Sequence, residues 1–432
     1  MYSNEIKIAE KLLKNKNEDG IKLLVNLIIR INQDPKHLSS EHEKTAVLFG
    51  KLLEHKKDRE TLLKILQGIH PASIQFLANL AAEFGHLKEA VFFTEEACSV
   101  EAMPLHLMNF YLDLMDSAML REEALEKALF YLNSHPQLSL GDLTADKFLK
   151  ALDKWDHVPI QGQAAKTDED LEFLNLIFKM VKICYCQEKL DLAFRICQIM
   201  EPTVAVCENL SSTSIKNGYS YFQYIADLLP LKTFDHKSED RVYLIGDSHC
   251  LSPAWNEVEI EHKKWLIQPV LITGCKLWHL RDASLLHAKV NYQEALRLIP
   301  EGSTLIYLFG EIDCREGILP SVEKGRYPNA EAAMGLLLKV YMDRVKEAIR
   351  SKKLAHVYIH EVPPVLDFNR STVMLFNRLL RESVLVEKKK GLKISWLGFK
   401  DDLLLENGQI NPLFDIDGTH LHPRYFETRQ IE

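Results

Sequence analysis

The sequence lacks the cysteine pairs that characterise zinc ribbons and thioredoxin-type redox sites. Its 432 residues include 8 cysteines. The closest two, Cys184 and Cys186, are separated by a single residue and do not form a C-x-x-C pair. We therefore expect reduced and mostly buried thiols. A metal site and a cofactor are not expected.

Long apolar runs and an excess of positive charge are also absent. No apolar run approaches the roughly 20 residues that cross a bilayer. The N-terminal segment MYSNEIKIAEKLLKNKNEDG contains early acidic residues and no apolar core, unlike a secretory signal. The net charge of −8 argues against nucleic acid or an anionic membrane as the main partner. These features predict a cytoplasmic protein without a membrane span.

The length and composition indicate a folded protein with more than one domain. Hydrophobic residues make up 47% of the chain and charged residues 26%, as in ordinary globular proteins. A chain of this length exceeds one comfortable core, so two or three domains are expected. Residues 1–229 carry apolar residues at three- and four-residue spacing, which predicts helices almost throughout.

Small residues recur at a fixed distance within this helical half. Ala90 and Ala124 are 34 residues apart, which is the tetratricopeptide period. The half resembles tetratricopeptide repeats at six positions, which are Leu77, Ala78, Gly85, Ala90, Ala97 and Ala124. A generic helical bundle is the alternative. The resemblance implies an extended surface for a peptide, a protein partner or the neighbouring domain. Residues 155–170 are predicted to form a loop or insertion.

The periodicity changes after residues 230–240, a charged segment that we predict to be a linker. Short apolar runs then alternate with helical stretches. The runs are VYLI at 242–245, WLIQPVLI at 265–272, TLIYLF at 304–309, AHVYIH at 355–360 and KISWL at 393–397. This alternation predicts a three-layer α/β domain over 241–432, with a flavodoxin-like parallel sheet.

Polar residues that suit nucleophilic catalysis follow the first of these strands and lie near the end of the domain. The strand ends at Gly246, Asp247 and Ser248, and sites in such sheets form at the carboxyl ends of strands. A serine nucleophile needs a base, and the base needs an orienting group. Asp417 and His420 are three residues apart, so one turn can bring the carboxylate to the imidazole.

Together these motifs resemble the SGNH, or GDSL-type, hydrolase and acyl-esterase superfamily. Its G-D-S block matches Gly246, Asp247 and Ser248, and its D-x-x-H block matches Asp417 and His420. The resemblance implies a catalytic triad of Ser248, His420 and Asp417. It also implies an oxyanion hole formed by the backbone N–H groups of Ser248 and Gly274. The variant with His249 after the serine is similar to domains that handle acyl groups on glycans.

The third block of the superfamily, G-x-N-D, is altered in this chain. Ile312 stands where the family has an asparagine that donates to the oxyanion. Loss of one such donor costs on the order of 100- to 1000-fold in rate. The remaining polar residues of this block and of the first block are candidate pocket residues, namely Asp247, His249, Gly310, Glu311, Asp313 and Arg315.

The resemblance implies a serine esterase that removes a small acyl group, such as acetyl, from a carbohydrate or related ester. The substrate would be a small-molecule or glycan ester, and the helical repeats would recruit it or a protein partner. Two alternatives remain open. The same triad serves an acyltransferase, and a catalytically degenerate repeat adaptor would bind a ligand or partner without turnover.

Overall fold

The computed structural model describes residues 2–15, 18–32, 40–65, 71–134, 167–207, 209–236, 238–260, 262–284, 287–399 and 403–426. Within these ranges the chain divides into two compact units. The first comprises the described residues up to 134 together with 167–176 and 287–291. The second comprises the described residues of 177–284 and 292–426. The loop predicted at 155–170 lies almost entirely outside the described residues.

The first unit is built from successive helices. They are α1 (Ser3–Lys14), α2 (Glu18–Asn32), α3 (Ser40–Leu53), α4 (Lys56–Ile65), α5 (Pro71–Glu83), α6 (Leu87–Ala97), α7 (Leu105–Ser117), α8 (Arg121–Ser134) and the start of α9 (Asp168–Cys186). None of the helices in the described chain is both long enough and apolar enough to span a membrane.

Small residues of the first unit lie where neighbouring helices meet. Ala78, Ala90 and Ala124 are completely buried, as close helix approach requires. Ala97, at the end of α6, is only half-buried. Helices α5 to α8 pack in chain order, each against the next. This packing agrees with the predicted helical half, while the tetratricopeptide assignment stays a prediction.

The second unit contains a six-stranded sheet and its helices. The strands are β1 (Arg241–Gly246), β2 (Glu257–Ile260), β3 (Lys263–Leu271), β4 (Thr304–Leu308), β5 (His356–His360) and β6 (Ile394–Leu397). The helices after the end of α9 are α10 (Leu190–Ala205), α11 (Lys216–Leu228), α12 (His287–Leu298, which begins in the first unit), α13 (Glu311–Glu316), α14 (Ile318–Glu323), α15 (Ala330–Lys352) and α16 (Arg370–Lys389).

The six strands, five of them predicted, form one sheet in the order β2-β3-β1-β4-β5-β6. All neighbours pair in parallel except β2 and β3, which are antiparallel. The parallel strands therefore have the flavodoxin-type order 2-1-3-4-5, in which the winding direction reverses at β1. The short edge strand β2 was not predicted, because its charged sequence EVEI has only two apolar residues.

The helices between 177 and 229 belong to the second unit, whereas the sequence pattern assigned them to the first domain. Side-chain hydrogen bonds join them to the loop after β1. The Trp255 indole donates to the Tyr185 carbonyl at 2.7 Å, and the Tyr185 hydroxyl donates to the Leu251 carbonyl at 2.9 Å. Apolar spacing shows that a helix has a buried face, but it does not identify the element that covers that face.

The predicted linker 230–240 is also attached to this unit. Lys232 is buried, and its ammonium group donates to the Ser252 carbonyl at 2.6 Å and to the Asn256 side chain at 3.1 Å. The Ser238 hydroxyl donates to the Lys264 carbonyl at 2.9 Å. Two polar side chains of this segment, one charged and one neutral, therefore satisfy backbone carbonyls of the α/β unit, which composition alone does not reveal.

Gly246 ends β1 at a point where the backbone of β4 passes very close. A Cβ atom at this position would lie 2.4 Å from the Leu308 carbonyl oxygen. Gly335 provides a contrast, because a Cβ there would meet no atom within 4 Å and the residue lies inside α15. Glycine at 246 is thus a requirement of strand packing, and at 335 it is not.

We expect Gly246→Ala to lower the free energy of unfolding by about 1–3 kcal/mol, because the methyl group forces β1 and β4 apart. Gly335→Ala should instead raise it by roughly 0.5–1 kcal/mol through helix propensity. Chemical denaturation of both variants measures the difference. Equal stability of Gly246→Ala and the wild type would contradict the close approach.

Candidate active site

Ser248 begins the short 3₁₀ helix Ser248–Leu251 directly after β1. The preceding Asp247 caps this turn, because its Oδ1 accepts the backbone N–H of His249 at 3.1 Å. Asp247 and His249 are buried, whereas Ser248 is partly exposed. The strand end therefore leaves Ser248 partly accessible while its polar neighbours are buried in the protein.

His420 and Asp417 occupy a tight turn near the end of the described chain. Residues Asp415 and Leu421 form a bridge that closes the turn, and the Asp415 carboxylate accepts the Gly418 N–H at 2.7 Å. Asp417 Oδ1 accepts the backbone N–H of His420 at 2.7 Å. These local bonds hold the aspartate and the histidine side by side.

The structure brings together Ser248, His420 and Asp417. Ser248 Oγ lies 2.9 Å from His420 Nε2. His420 Nδ1 lies 2.7 Å from Asp417 Oδ2. In the tautomer that donates from Nδ1 to the carboxylate, Nε2 is free to accept the serine proton. This is the arrangement that serine nucleophiles require.

The environment keeps His420 neutral and Asp417 ionised. Burial lowers the pKa of His420 below its ordinary value and outweighs the opposing effect of Asp417. Burial also raises the pKa of Asp417, but hydrogen bonds from His420 prevail and hold that pKa below its usual value. A neutral imidazole beside an ionised carboxylate is the state in which His420 can act as a base.

Gly274 follows β3, the parallel neighbour of β1, so it lies beyond the same carboxyl ends of the strands as Ser248. Gly246 pairs with Leu271, and the N–H of Ile272 donates to the Gly246 carbonyl at 2.8 Å. Gly274 has a φ of 65°, and its N–H donates to no other residue in the described chain. It is therefore available as a hydrogen-bond donor near the strand end that carries Ser248.

Asp313 anchors the loop after Gly274. Its carboxylate oxygens accept the backbone N–H groups of Leu277 at 2.7 Å and Trp278 at 3.2 Å. Asp313 is buried, and burial raises its pKa to about 7 against the effect of these two donors. This candidate pocket residue thus serves to position the loop.

Glu311 and His249 form a buried pair. Glu311 Oε2 and His249 Nε2 are 3.7 Å apart, and Arg315 approaches the same carboxylate at 3.4 Å. Burial lowers the pKa of His249, but Glu311 and Asp247 outweigh burial and raise it. Asp247 has a pKa raised to about 6, mainly by burial.

The side chain at position 312, an isoleucine, carries no hydrogen-bond donor. Gly310 turns the chain with a φ of 119°, and Ile312 then lies half-buried in the first turn of α13. Glu311 and Asp313, on either side of it, are buried. The backbone N–H groups of Ser248 and Gly274 therefore remain as the predicted oxyanion donors.

Tyr224 was not identified from the sequence, yet it contacts the candidate triad. Its ring stacks on the His420 imidazole with centroids 3.9 Å apart and an angle of 14° between planes. His249 is the second ring beside this imidazole, at 4.8 Å. Tyr224 lies on α11, so only its helical spacing was visible in the sequence, and that spacing predicts burial and nothing more.

His422, two residues after His420, accepts the Arg424 N–H at 3.2 Å.

A pocket of about 240 Å³ lies between the loop after Gly274 and helices α13 to α15. Its lining combines aromatic rings with charged groups, including Lys276, Trp278, Asp313, Lys324, Arg326 and Tyr327. Trp278 is about one-third exposed. Rings and hydrogen-bonding groups of this kind suit a polar ligand with flat apolar faces.

Comparisons with protein-family models, curated proteins and solved structures found no match to this chain. Within the ranges that the structure describes, no group of three His, Cys, Asp or Glu residues is arranged to hold a metal ion.

We expect Asp417→Asn to reduce the rate at which a fluorophosphonate probe labels Ser248 by on the order of 10³- to 10⁴-fold. The amide no longer selects the tautomer that accepts the serine proton. Asp415→Asn is the matched control, because this residue belongs to the same turn and its amide oxygen can still accept the Gly418 N–H. Equal labelling of Asp417→Asn and the wild type would contradict the assigned orientation of His420.

Proposed function

We propose that this protein is a serine esterase. The proposal is supported by one observation above all, the continuous hydrogen-bond chain from Ser248 Oγ through His420 to Asp417. Three residues from two distant parts of the sequence meet at distances suited to proton transfer. The position of Ser248 after the strand at which the sheet reverses direction adds support, because ligands bind there in open α/β sheets.

The reaction begins when His420 Nε2 accepts the hydroxyl proton of Ser248 and Oγ attacks the acyl carbonyl. The backbone N–H groups of Ser248 and Gly274 stabilise the resulting oxyanion. Protonated His420 gives its proton to the departing alcohol, which leaves an acyl-serine. A water molecule, deprotonated by His420, then attacks the acyl-serine and releases the carboxylic acid and Ser248.

The proposed substrate is a small acyl ester, such as acetyl, on a carbohydrate. The resemblance of the G-D-S and D-x-x-H blocks to SGNH hydrolases suggests this substrate class. The pocket beside the Gly274 loop would suit the sugar, which is the alcohol part of such an ester. Trp278 and Tyr327 offer ring surfaces against which a sugar could pack, while Lys324 and Arg326 offer hydrogen-bond donors. The helical repeats are proposed to recruit the substrate or a protein partner.

We expect a fluorophosphonate probe to label the wild-type protein, and Ser248→Ala and His420→Ala to abolish labelling. The first variant removes the nucleophile and the second removes its base. His422→Ala is the matched control, because His422 is two residues from His420 and bonds to Arg424. It should retain labelling. Circular dichroism establishes that each variant is folded.

A folded wild type that is not labelled would contradict the esterase proposal and favour the adaptor alternative. Labelling that persists in folded Ser248→Ala would show that a residue other than Ser248 is the reactive nucleophile. If labelling follows the expected pattern, products formed from an acetyl ester with and without added sugar distinguish hydrolysis from acyl transfer.

We expect Trp278→Ala to raise KM for an acetylated oligosaccharide by about 5- to 10-fold, because one buried contact of the sugar is lost. Hydrolysis of p-nitrophenyl acetate, which does not fill the pocket, should be unchanged. Leu319→Ala is the control, because this exposed residue lies beside the pocket residues without lining it. An unchanged KM for the oligosaccharide would place the sugar elsewhere.

A further inference from the structure

Helix α11 lies over the turn that carries His420. The Tyr224 ring covers one face of the imidazole almost in parallel, at 3.9 Å. Tyr224 is only 2% exposed, so solvent does not compete for this contact. Asp227, one turn further along α11, has its pKa raised by burial and by the nearby Asp417 carboxylate. Tyr224 therefore packs on this turn, and Asp227 lies within electrostatic range of it.

The His420 imidazole can hydrogen-bond to Ser248 and Asp417 together in only one ring orientation. A restraint from outside the histidine is needed to hold that orientation. Rotation about the bond that joins the ring to its side chain is soft, since this torsion has a broad range in histidine. Such rotation moves Nδ1 away from Asp417 and Nε2 away from Ser248 together. A flat ring stacked on the imidazole blocks tilting out of the plane that contains both hydrogen bonds.

We propose that Tyr224 is a positioning residue, which holds the His420 imidazole in the plane that joins Asp417 to Ser248. This inference rests on the proposed esterase function and adds to it that a helix from outside the predicted α/β domain completes the active site. The restraint is supplied by the ring. The Tyr224 hydroxyl is buried and has no hydrogen-bond partner among the described residues.

Helix α11 also provides a control residue, which tests whether Tyr224 acts only by stabilising the fold. Phe222 is 3% exposed, close to the value for Tyr224, and its ring packs 4.5 Å from that of Phe178. Phe222→Leu and Tyr224→Leu each remove a buried ring from α11, but only the second removes a ring that stacks on His420. Tyr224→Phe keeps that ring and removes the unpartnered hydroxyl.

The test measures the second-order rate of fluorophosphonate labelling for the full chain and its variants, together with thermal unfolding. We expect Tyr224→Leu to label roughly 10- to 100-fold more slowly, because small displacements of reacting groups cost about this much. Tyr224→Phe should stay within about 3-fold of the wild type. Phe222→Leu should lose thermal stability and retain its labelling rate.

A second readout reports on the imidazole without requiring turnover. In proton NMR spectra, the Nδ1 proton shared with Asp417 should resonate far downfield in the wild type and in Tyr224→Phe, and weaken or vanish in Tyr224→Leu. Persistence of the resonance and of the labelling rate in Tyr224→Leu would overturn the inference, as would an equal loss in Phe222→Leu. An unlabelled wild type that shows this resonance pattern would contradict the esterase function but support the positioning role.

Discussion

The hydrogen bond between Ser248 and His420 joins positions 172 residues apart, and the candidate site depends on it. Neither partner is placed by its own segment alone. The close packing of β1 against β4 at Gly246 sets where the first loop begins. The Ser252 hydroxyl donates to the Leu421 carbonyl and ties this loop to the histidine turn. Tyr224 then stacks on the imidazole from a third segment.

Burial governs the electrostatics around this hydrogen bond. Burial raises the pKa of Asp247 to about 6 and that of Asp313 to about 7, while Glu311 lies in a buried pair with His249. Charges in such surroundings are poorly screened, so they act strongly on their neighbours. Burial is the main cause of the lowered pKa of His420, and His249, when protonated, lowers that pKa further. Burial thus sets the state of the base, and the polar residues after Ser248 modify it.

Local sequence predicted the elements of the α/β unit closely and their partners less well. The apolar run at 304–309 became β4 at Thr304–Leu308, and the run at 242–245 lies within β1 at Arg241–Gly246. Residues 177–229 were assigned to the helical half, but they group with the sheet. The bounds of a strand or helix depend on periodicity within one segment. The unit to which a helix belongs depends on which of several apolar surfaces its own apolar face packs against.

The sequence by itself determined the strand and helix pattern, the small residues at helix contacts and the two short motifs at 246–248 and 417–420. These follow from side-chain chemistry and short spacing. Only the tertiary structure decided that Ser248 meets His420, that Asp313 holds the loop after Gly274 and that Tyr224 covers the imidazole. Contacts between residues far apart in the chain depend on the register of whole strands and helices, which no single segment specifies.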